Sequence, residues 1–445
     1  MNLMINPMKK ILAYIFTVSI LLLLSSTGNS QKQLTLSQCI ELGLANNYQI
    51  QIVKKQTEIA ENNDNWGMAG RYPSIGVSIA QNNNISDQSQ NPTSFIQELL
   101  ISNSVQGGVQ LNWTLFNGFA VMANKEKLAQ LKEQSKGNEA MVVENTIQAI
   151  TLAYYNALLQ KDKLTLIGEV MSLSFDRYEY YELSKNIGTS TSFETLQFKN
   201  AFLTDSSNYL LQELAYENAL RSLKQLMLVD ENTEIKLTDK LRFESQSYDL
   251  ADLKTKMLTN NTNIRNQYIN LAIMKQELKI ARSNLYPVFD FSLGANATNS
   301  RFKIADFPAQ NGLNINYYAN FSLSYNLFNG GKVKTQIQNT KIQEEISNLN
   351  IEDAKVNLTT QLNTQYQLFE ARKQILKLSR DIFNNARVNL SLAEERFKAG
   401  IINSFDYRDL QLAFLNTGIA SLEATYELID VNTELTRITG GLIQE

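Results

Sequence analysis

The 445-residue chain contains no histidine, one cysteine and five prolines. Without histidine there is no Ser/His/Asp or Cys/His nucleophile system, no imidazole metal site and no general base of the commonest kind near neutral pH. One cysteine excludes an intramolecular disulfide, and Cys39, set among Leu36, Ile40, Leu42 and Leu44, reads as a small apolar packing residue. No Gly-rich phosphate loop, zinc spacing or calcium loop occurs, so no cofactor or metal is expected. Formal net charge is only -3, with no lysine-rich or arginine-rich tract, which argues against nucleic acid as a partner. After the N-terminus, no apolar run approaches the roughly 20 residues of a spanning helix.

What is present begins with an export signal. Lys9-Lys10 form a charged region, Ile11 to Leu24 an apolar stretch, and Gly28-Asn29-Ser30 a small-residue cleavage site, so residues 1–30 read as a secretory signal peptide. A plain membrane anchor is the alternative, for which the apolar run is short.

The remainder says nearly the same thing twice. Arg71-Tyr72-Pro73 leads into one strand-like segment and Trp113-Thr114-Leu115-Phe116-Asn117-Gly118 closes another; Leu285-Tyr286-Pro287 and Tyr325-Asn326-Leu327-Phe328-Asn329-Gly330 do the same later. Gly188 matches Gly400, and Ser192-Phe193-Glu194 matches Ser404-Phe405-Asp406, at an offset of 212; upstream, Asn46-Asn47 matches Asn260-Asn261 at 214. The spacing predicts two structural repeats, residues 31–235 and 236–445, each of helix, two strands and a long helical hairpin.

Strands are expected near 73–81, 107–116, 287–297 and 317–328. In each, apolar and polar residues alternate: Phe289, Phe291, Leu293 and Ala295 oppose Asp290, Ser292, Gly294 and Asn296. About ten residues per run suits the roughly 9 to 11 of a tilted membrane-spanning strand. A soluble sheet with one face on a core uses the same alternation. Aromatic residues near the strand ends (Tyr72, Trp113, Phe116, Tyr286, Tyr317, Tyr318, Phe328) favour a membrane girdle, and Asn82–Ser104 and Asn299–Asn316 read as long polar loops. Four strands cannot close a barrel, and an open edge in hydrocarbon leaves unpaired backbone groups, so the chain is expected to oligomerise. Two copies would give eight strands and a filled interior; three would give twelve and a water-filled one.

Each strand pair precedes an uninterrupted helical pattern, Phe119–Asn186 and Lys332–Lys398, on the order of 100 Å at about 1.5 Å per residue. Leu362, Phe369, Leu376, Phe383, Leu390 and Phe397 recur every seven residues, as do Ile150, Ala157, Leu164, Met171 and Tyr178, the mark of a coiled-coil seam. Glycine-containing turns follow, with Ser192 and Ser404 as candidate N-caps for returning helices. Leu36–Gly70 and Leu250–Asn284 read as shorter helices and Val229–Ser247 as a linker.

With the leader, the Leu-Thr-Leu opening at Leu34–Leu36, the Tyr-Pro and Leu-Phe-Asn-Gly pairs and the duplicated hairpins in hand, nearly the whole chain beyond the leader resembles the TolC-like outer membrane efflux proteins. The resemblance implies a mixed fold of long antiparallel coiled-coil hairpins and a transmembrane β-barrel, with four strands per chain and twelve in a homotrimer. It implies an outer membrane location in a Gram-negative bacterium, with the helical part in the periplasm. The function implied is passive: the exit duct of a tripartite efflux or type I secretion system, working with a periplasmic adaptor (membrane fusion) protein and an inner-membrane transporter such as an RND or ABC pump. A structural coiled-coil surface protein with a β-barrel anchor is the alternative, and an enzyme working with carboxylates alone lacks any converging set of residues.

By the same resemblance Asp406 and Asp409, placed after Gly400, match carboxylates that ring the periplasmic entrance, and threefold repetition would gather six of them. Read from position alone, Asp406 would complement the helix dipole and Asp409 would be a solvated charge. Glu194 holds the place of Asp406 in the first repeat. Adaptor docking maps onto Ile187, Gly188 and Thr189 and onto Ala399, Gly400 and Ile401, where glycine also has a purely structural cause as a left-handed turn residue. Relatives close the entrance with a tyrosine and an arginine; Phe397 and Ile402 stand there in this chain, so closure is expected to be weaker or differently made.

Overall fold

The computed structural model describes residues 32–244 and 246–442, so the expected signal segment lies outside the described residues. In chain order the elements are β1 (Lys32–Leu34), α1 (Leu36–Asn46), α2 (Tyr48–Asn63), β2 (Ser74–Asp87), β3 (Leu99–Asn117), α3 (Ala120–Asn186), α4 (Ser192–Met227), β4 (Ile235–Leu237), α5 (Leu250–Asn260), α6 (Thr262–Ser283), β5 (Val288–Ile304), β6 (Gln310–Ser324), α7 (Lys332–Lys398) and α8 (Ser404–Ile438). The described residues form two compact units, one within Val53–Glu139 and Thr262–Val356, the other within Met1–Ile52, Ala140–Asn261 and Asn357–Glu445.

The first of these units holds the four-stranded antiparallel sheet, in the order β2-β3-β5-β6. Its register aligns like with like. Ile75 pairs with Leu111, Leu111 with Leu293 and Leu293 with Ala319; two residues on, Val77, Val109, Ala295 and Tyr317 form the next row. The intervening row, Gly76, Gln110, Gly294 and Tyr318, points the other way because successive strand side chains alternate. A soluble sheet would bury its apolar face, yet Ile75, Ile79 and Phe321 are 71%, 78% and 66% exposed. Among the described residues nothing covers this face, so no core of the same chain accounts for its alternation.

The strands outrun the expected segments: β3 has 19 residues and β5 has 17. The alternation marked only their apolar band. Beyond it the ladder continues through Asn82–Ser104, Asn83–Asn103 and Asn84–Ser102, pairs whose two faces are both polar, so the expected long loops shrink to residues 88–98 and 305–309. The last strand stops at Ser324, short of the expected 328. A bulge between Thr114 and Phe116 sets Phe116 opposite Phe289, on the face that carries Phe291 and Trp113.

In the second unit, matching positions of the two repeats are buried. Ile150 and Leu362, Ala157 and Phe369, and Leu223 and Leu435 are each at most 1% exposed. Burying such a side chain contributes about 1.5–3 kcal/mol for the larger ones. The expected linker carries β4, which pairs in parallel with β1, and the Tyr154 hydroxyl donates to Asp239 at 2.8 Å beneath them. Cys39 lies in this core with no exposure, its thiol pushed up to about 12 by burial and then by Asp239.

Three helix details differ from expectation. The short helices break at Asn47 and Asn261, which leave the helical region at ψ 120 and 122. The N-caps are Thr191 and Asn403, one residue before Ser192 and Ser404, because Thr191 forms a capping box with Glu194 and Asn403 accepts from two successive amides. In α3 the buried line passes through Val170 and Arg177 rather than Met171 and Tyr178, a one-residue phase shift from the heptad that starts at Ile150.

Candidate functional site

Both hairpin turns are built alike. At the α3 end, the Thr189 amide donates to Ser184 O at 2.9 Å and Gly188 to Lys185 O at 3.0 Å; at the α7 end, Ile401 donates to Arg396 O at 2.9 Å and Gly400 to Phe397 O at 3.0 Å. These are Schellman closures, with Gly188 at φ 78 and Gly400 at φ 69, where a side chain would be strained. The turns present Ile187 and Ile401 at 76% and 71% exposure, and Thr189, Ala399 and both glycines are exposed beside them. Apolar side chains at the tip of a charged coiled coil have no packing role there.

Asp406 and Asp409 lie in the first two turns of α8, both exposed and with no ion-pair partner among the described residues. They share one side of the helix, since i and i+3 are neighbours, while Tyr407 is turned inward at 4% exposure. Glu194 differs from Asp406 in its use. Its carboxylate accepts from the Thr191 amide and hydroxyl, each at 2.9 Å, which holds it below the usual range.

The two hairpins are fastened to one another just above these turns. Arg408 of α8 donates from Nη1 and Nη2 to the two carboxylate oxygens of Asp205 on α4, at 2.7 Å each, and from Nη1 to Ser174 Oγ of α3 at 3.0 Å. Ser174 in turn donates to Asp205 at 2.5 Å. Planar bidentate pairing of this kind is short and directional. Arg177 of α3 is 6% exposed, with its guanidinium 4.2 Å from the Tyr407 ring and 5.6 Å from each of Phe198 and Phe397. Phe397 stacks on Tyr407 at 5.0 Å. Burial holds the Arg177 guanidinium down to about 10. The Tyr407 side chain is the polar neighbour of both Arg177 and the fully buried Gln411, and beyond it Arg177 Nη2 and the Gln411 amide find no hydrogen-bond partner among the described residues. Buried polar groups short of partners oppose folding, so this junction is held by strong contacts and opposed by under-partnered ones.

Thus Phe397 and Ile402 do not leave the junction apolar. The polar contacts there come from Arg408, Asp205 and Arg177, which sequence reasoning did not single out. A visible signal existed in part, since Arg177 and Asp205 interrupt otherwise apolar helix faces. Among the described residues no group of three His, Cys, Asp or Glu side chains could hold a metal, and no helix is long and apolar enough to cross a membrane.

By sequence, residues 39–227 and again 253–441 match the family described as outer membrane efflux protein. The chain belongs to the outer membrane efflux protein family. The double match, offset by the same 214 positions as the Asn-Asn pairs, makes the duplication explicit, and the protein is an outer membrane transport component rather than an enzyme. Solved structures of similar fold include the CmeC outer membrane channel of Campylobacter jejuni, 14% identical, with a TM-score of 0.74 over 91% of this chain and 85% of that one. The outer membrane protein VceC of Vibrio cholerae, 13% identical, gives 0.72 over 91% and 96%. The MtrE outer membrane channel of Neisseria gonorrhoeae in its open state, 14% identical, gives 0.73 over 92% and 89%. No curated protein matches the sequence. At these identities the likeness concerns the fold: long helical hairpins joined to a four-stranded sheet.

Proposed function

We propose that three copies of this efflux protein form one passive duct, each contributing four strands to a twelve-stranded barrel in the outer membrane and two helical hairpins to a tunnel in the periplasm. The observation that carries this is the sheet. Its apolar face is exposed along β2 and β6, and each of those strands pairs on one side only among the described residues. In hydrocarbon every unpaired backbone group costs several kcal/mol, so both edges need partners, and a ring of identical copies supplies them without leaving a new edge. The opposite face, with Gln110, Asn296, Ser292 and the Thr114–Asp290 hydrogen bond at 2.7 Å, suits a water-filled lumen.

The duct makes and breaks no bond. Energy for export comes from an inner-membrane pump of the RND or ABC kind, reached through a periplasmic adaptor that grips the hairpin tips at Ile187, Gly188, Thr189, Ala399, Gly400 and Ile401. The paired exposed isoleucines support that reading, because they offer apolar anchors flanked by rigid turns. Asp406 and Asp409 form the gate. Three copies would gather six unpaired carboxylates around a narrow opening, which attracts cations and repels anions. The Arg408–Asp205 pair and the Arg177 stack hold the second hairpin against the first and so keep that opening narrow.

Single-channel recording in planar bilayers tests the gate. The unmodified protein should pass cations in preference to anions, and Asp406→Ala with Asp409→Ala should reduce that preference severalfold while the protein still inserts. Unchanged selectivity in an inserted double variant would remove these residues from the gate.

A further inference from the structure

Where β3 passes into α3, the first unit contains a cavity of about 310 Å³ whose lining includes Trp66, Phe119, Met122, Lys279, Arg282 and Tyr286. One wall is aromatic. The Phe119 ring meets Phe116 edge-on at 5.2 Å and Tyr286 at 6.1 Å. Because the bulge sets Phe116 opposite Phe289, this wall continues the apolar face of the sheet past the end of the strands. Phe119 is held there at φ 71, a left-handed conformation that a bulky residue adopts only under strain.

The other wall is cationic. Lys279 and Arg282 project from the last turns of α6, three residues apart, both exposed and neither with an ion-pair partner among the described residues. Neighbouring carboxylates are already engaged: Glu277 with Lys127 at 2.5 Å, and Asp64 with Lys125 and with Lys132 at 2.5 Å. Glu126 is the acidic residue in the lining, and it is exposed. Arg282 also complements the negative end of its helix, but that explains neither Lys279 nor Gln276, whose Oε1 is buried in the lining without a hydrogen-bond donor. An occupant would therefore bring negative charge to the two cations, a donor to Gln276, and hydrocarbon to the aromatic wall.

We propose that this cavity holds one anionic glycerophospholipid, with its phosphodiester against Lys279 and Arg282, a headgroup hydroxyl donating to Gln276 Oε1, and its acyl chains passing over Phe119 and Phe116 onto the sheet. The proposal rests on the reading that the apolar face of the sheet meets lipid, and it deepens that reading by naming a lipid class and a fixed position. A phosphodiester accepts from two cations at once, and aromatic side chains at a membrane boundary suit the seam between headgroup and chain.

Native mass spectrometry of the full chain, released from nanodiscs of phosphatidylcholine containing a graded fraction of phosphatidylglycerol, tests it. The unmodified protein should retain phosphatidylglycerol at a fraction roughly thirtyfold below that needed by the Lys279→Gln/Arg282→Gln variant, given about 1 kcal/mol for each surface cation near anionic lipid. Phe119→Gly, which relieves the backbone strain while removing the wall, should weaken retention as well. Equal retention by the unmodified protein and the charge variant, retention of phosphatidylcholine as strong as that of phosphatidylglycerol, or no lipid adduct in any form would overturn the proposal. Failure of the sheet to enter the nanodisc at all would instead contradict the membrane reading on which it rests.

Discussion

Arg408 shows how much one side chain carries at the hairpin junction. It engages both oxygens of Asp205, whose own side chain is 3% exposed, so removing the guanidinium leaves a buried carboxylate with Ser174 alone. Breaking one side of such a pair costs about 3–5 kcal/mol, whereas replacing both partners by apolar groups is often neutral. Arg408→Ala should accordingly loosen α4 and α8 near the turns, read as faster hydrogen exchange there and a larger open conductance, while Arg408→Leu with Asp205→Leu should recover most of the exchange protection. Equal protection in the single variant and the unmodified protein would show that the pair is not what fastens the hairpins. The two residues stand 203 positions apart, which is why no local pattern revealed them. What could be seen at positions 397 and 402 was the absence of polar residues, whereas the polar contact lies at Arg408, six residues past Ile402.

Among the elements, the hairpins and the sheet were legible for different reasons and to different depths. The 67-residue spans of α3 and α7 followed from seven-residue spacing without proline, and α7 begins and ends where its pattern does. Strand length was underestimated because alternation reports an apolar face, while the backbone ladder goes on through Asn83–Asn103 with no such face to report. The caps fell one residue early because Thr191 and Asn403 compete with the serines beside them, and only the geometry of the accepted amides separates the two. For the turns, sequence offered glycine two meanings, and the left-handed φ at Gly188 and Gly400 accounts for glycine without reference to a partner. Docking is therefore better tested at the isoleucines. Ile187→Asp with Ile401→Asp should leave folding unchanged, since both side chains are exposed, yet reduce co-purification of the adaptor by an order of magnitude or more, as expected for charging an apolar anchor. Undiminished co-purification would move the docking surface elsewhere on the hairpins.

At the scale of the molecule, the family match covers the chain twice, and each half is built from the same order of elements. The repeat supplies two strands and one hairpin per half, and the halves bury equivalent positions, such as Ile150 and Leu362. The proposed duct needs more than one chain, because among the described residues β2 and β6 each keep an unpaired edge beside an apolar face. The most direct measurement is the mass of the protein particle in a native-like bilayer, taken by native mass spectrometry or mass photometry from nanodiscs. Three chains per particle, with β2 and β6 amides protected from exchange, is the expected result; a monodisperse single chain inserted in the bilayer, with those edges freely exchanging, would contradict it.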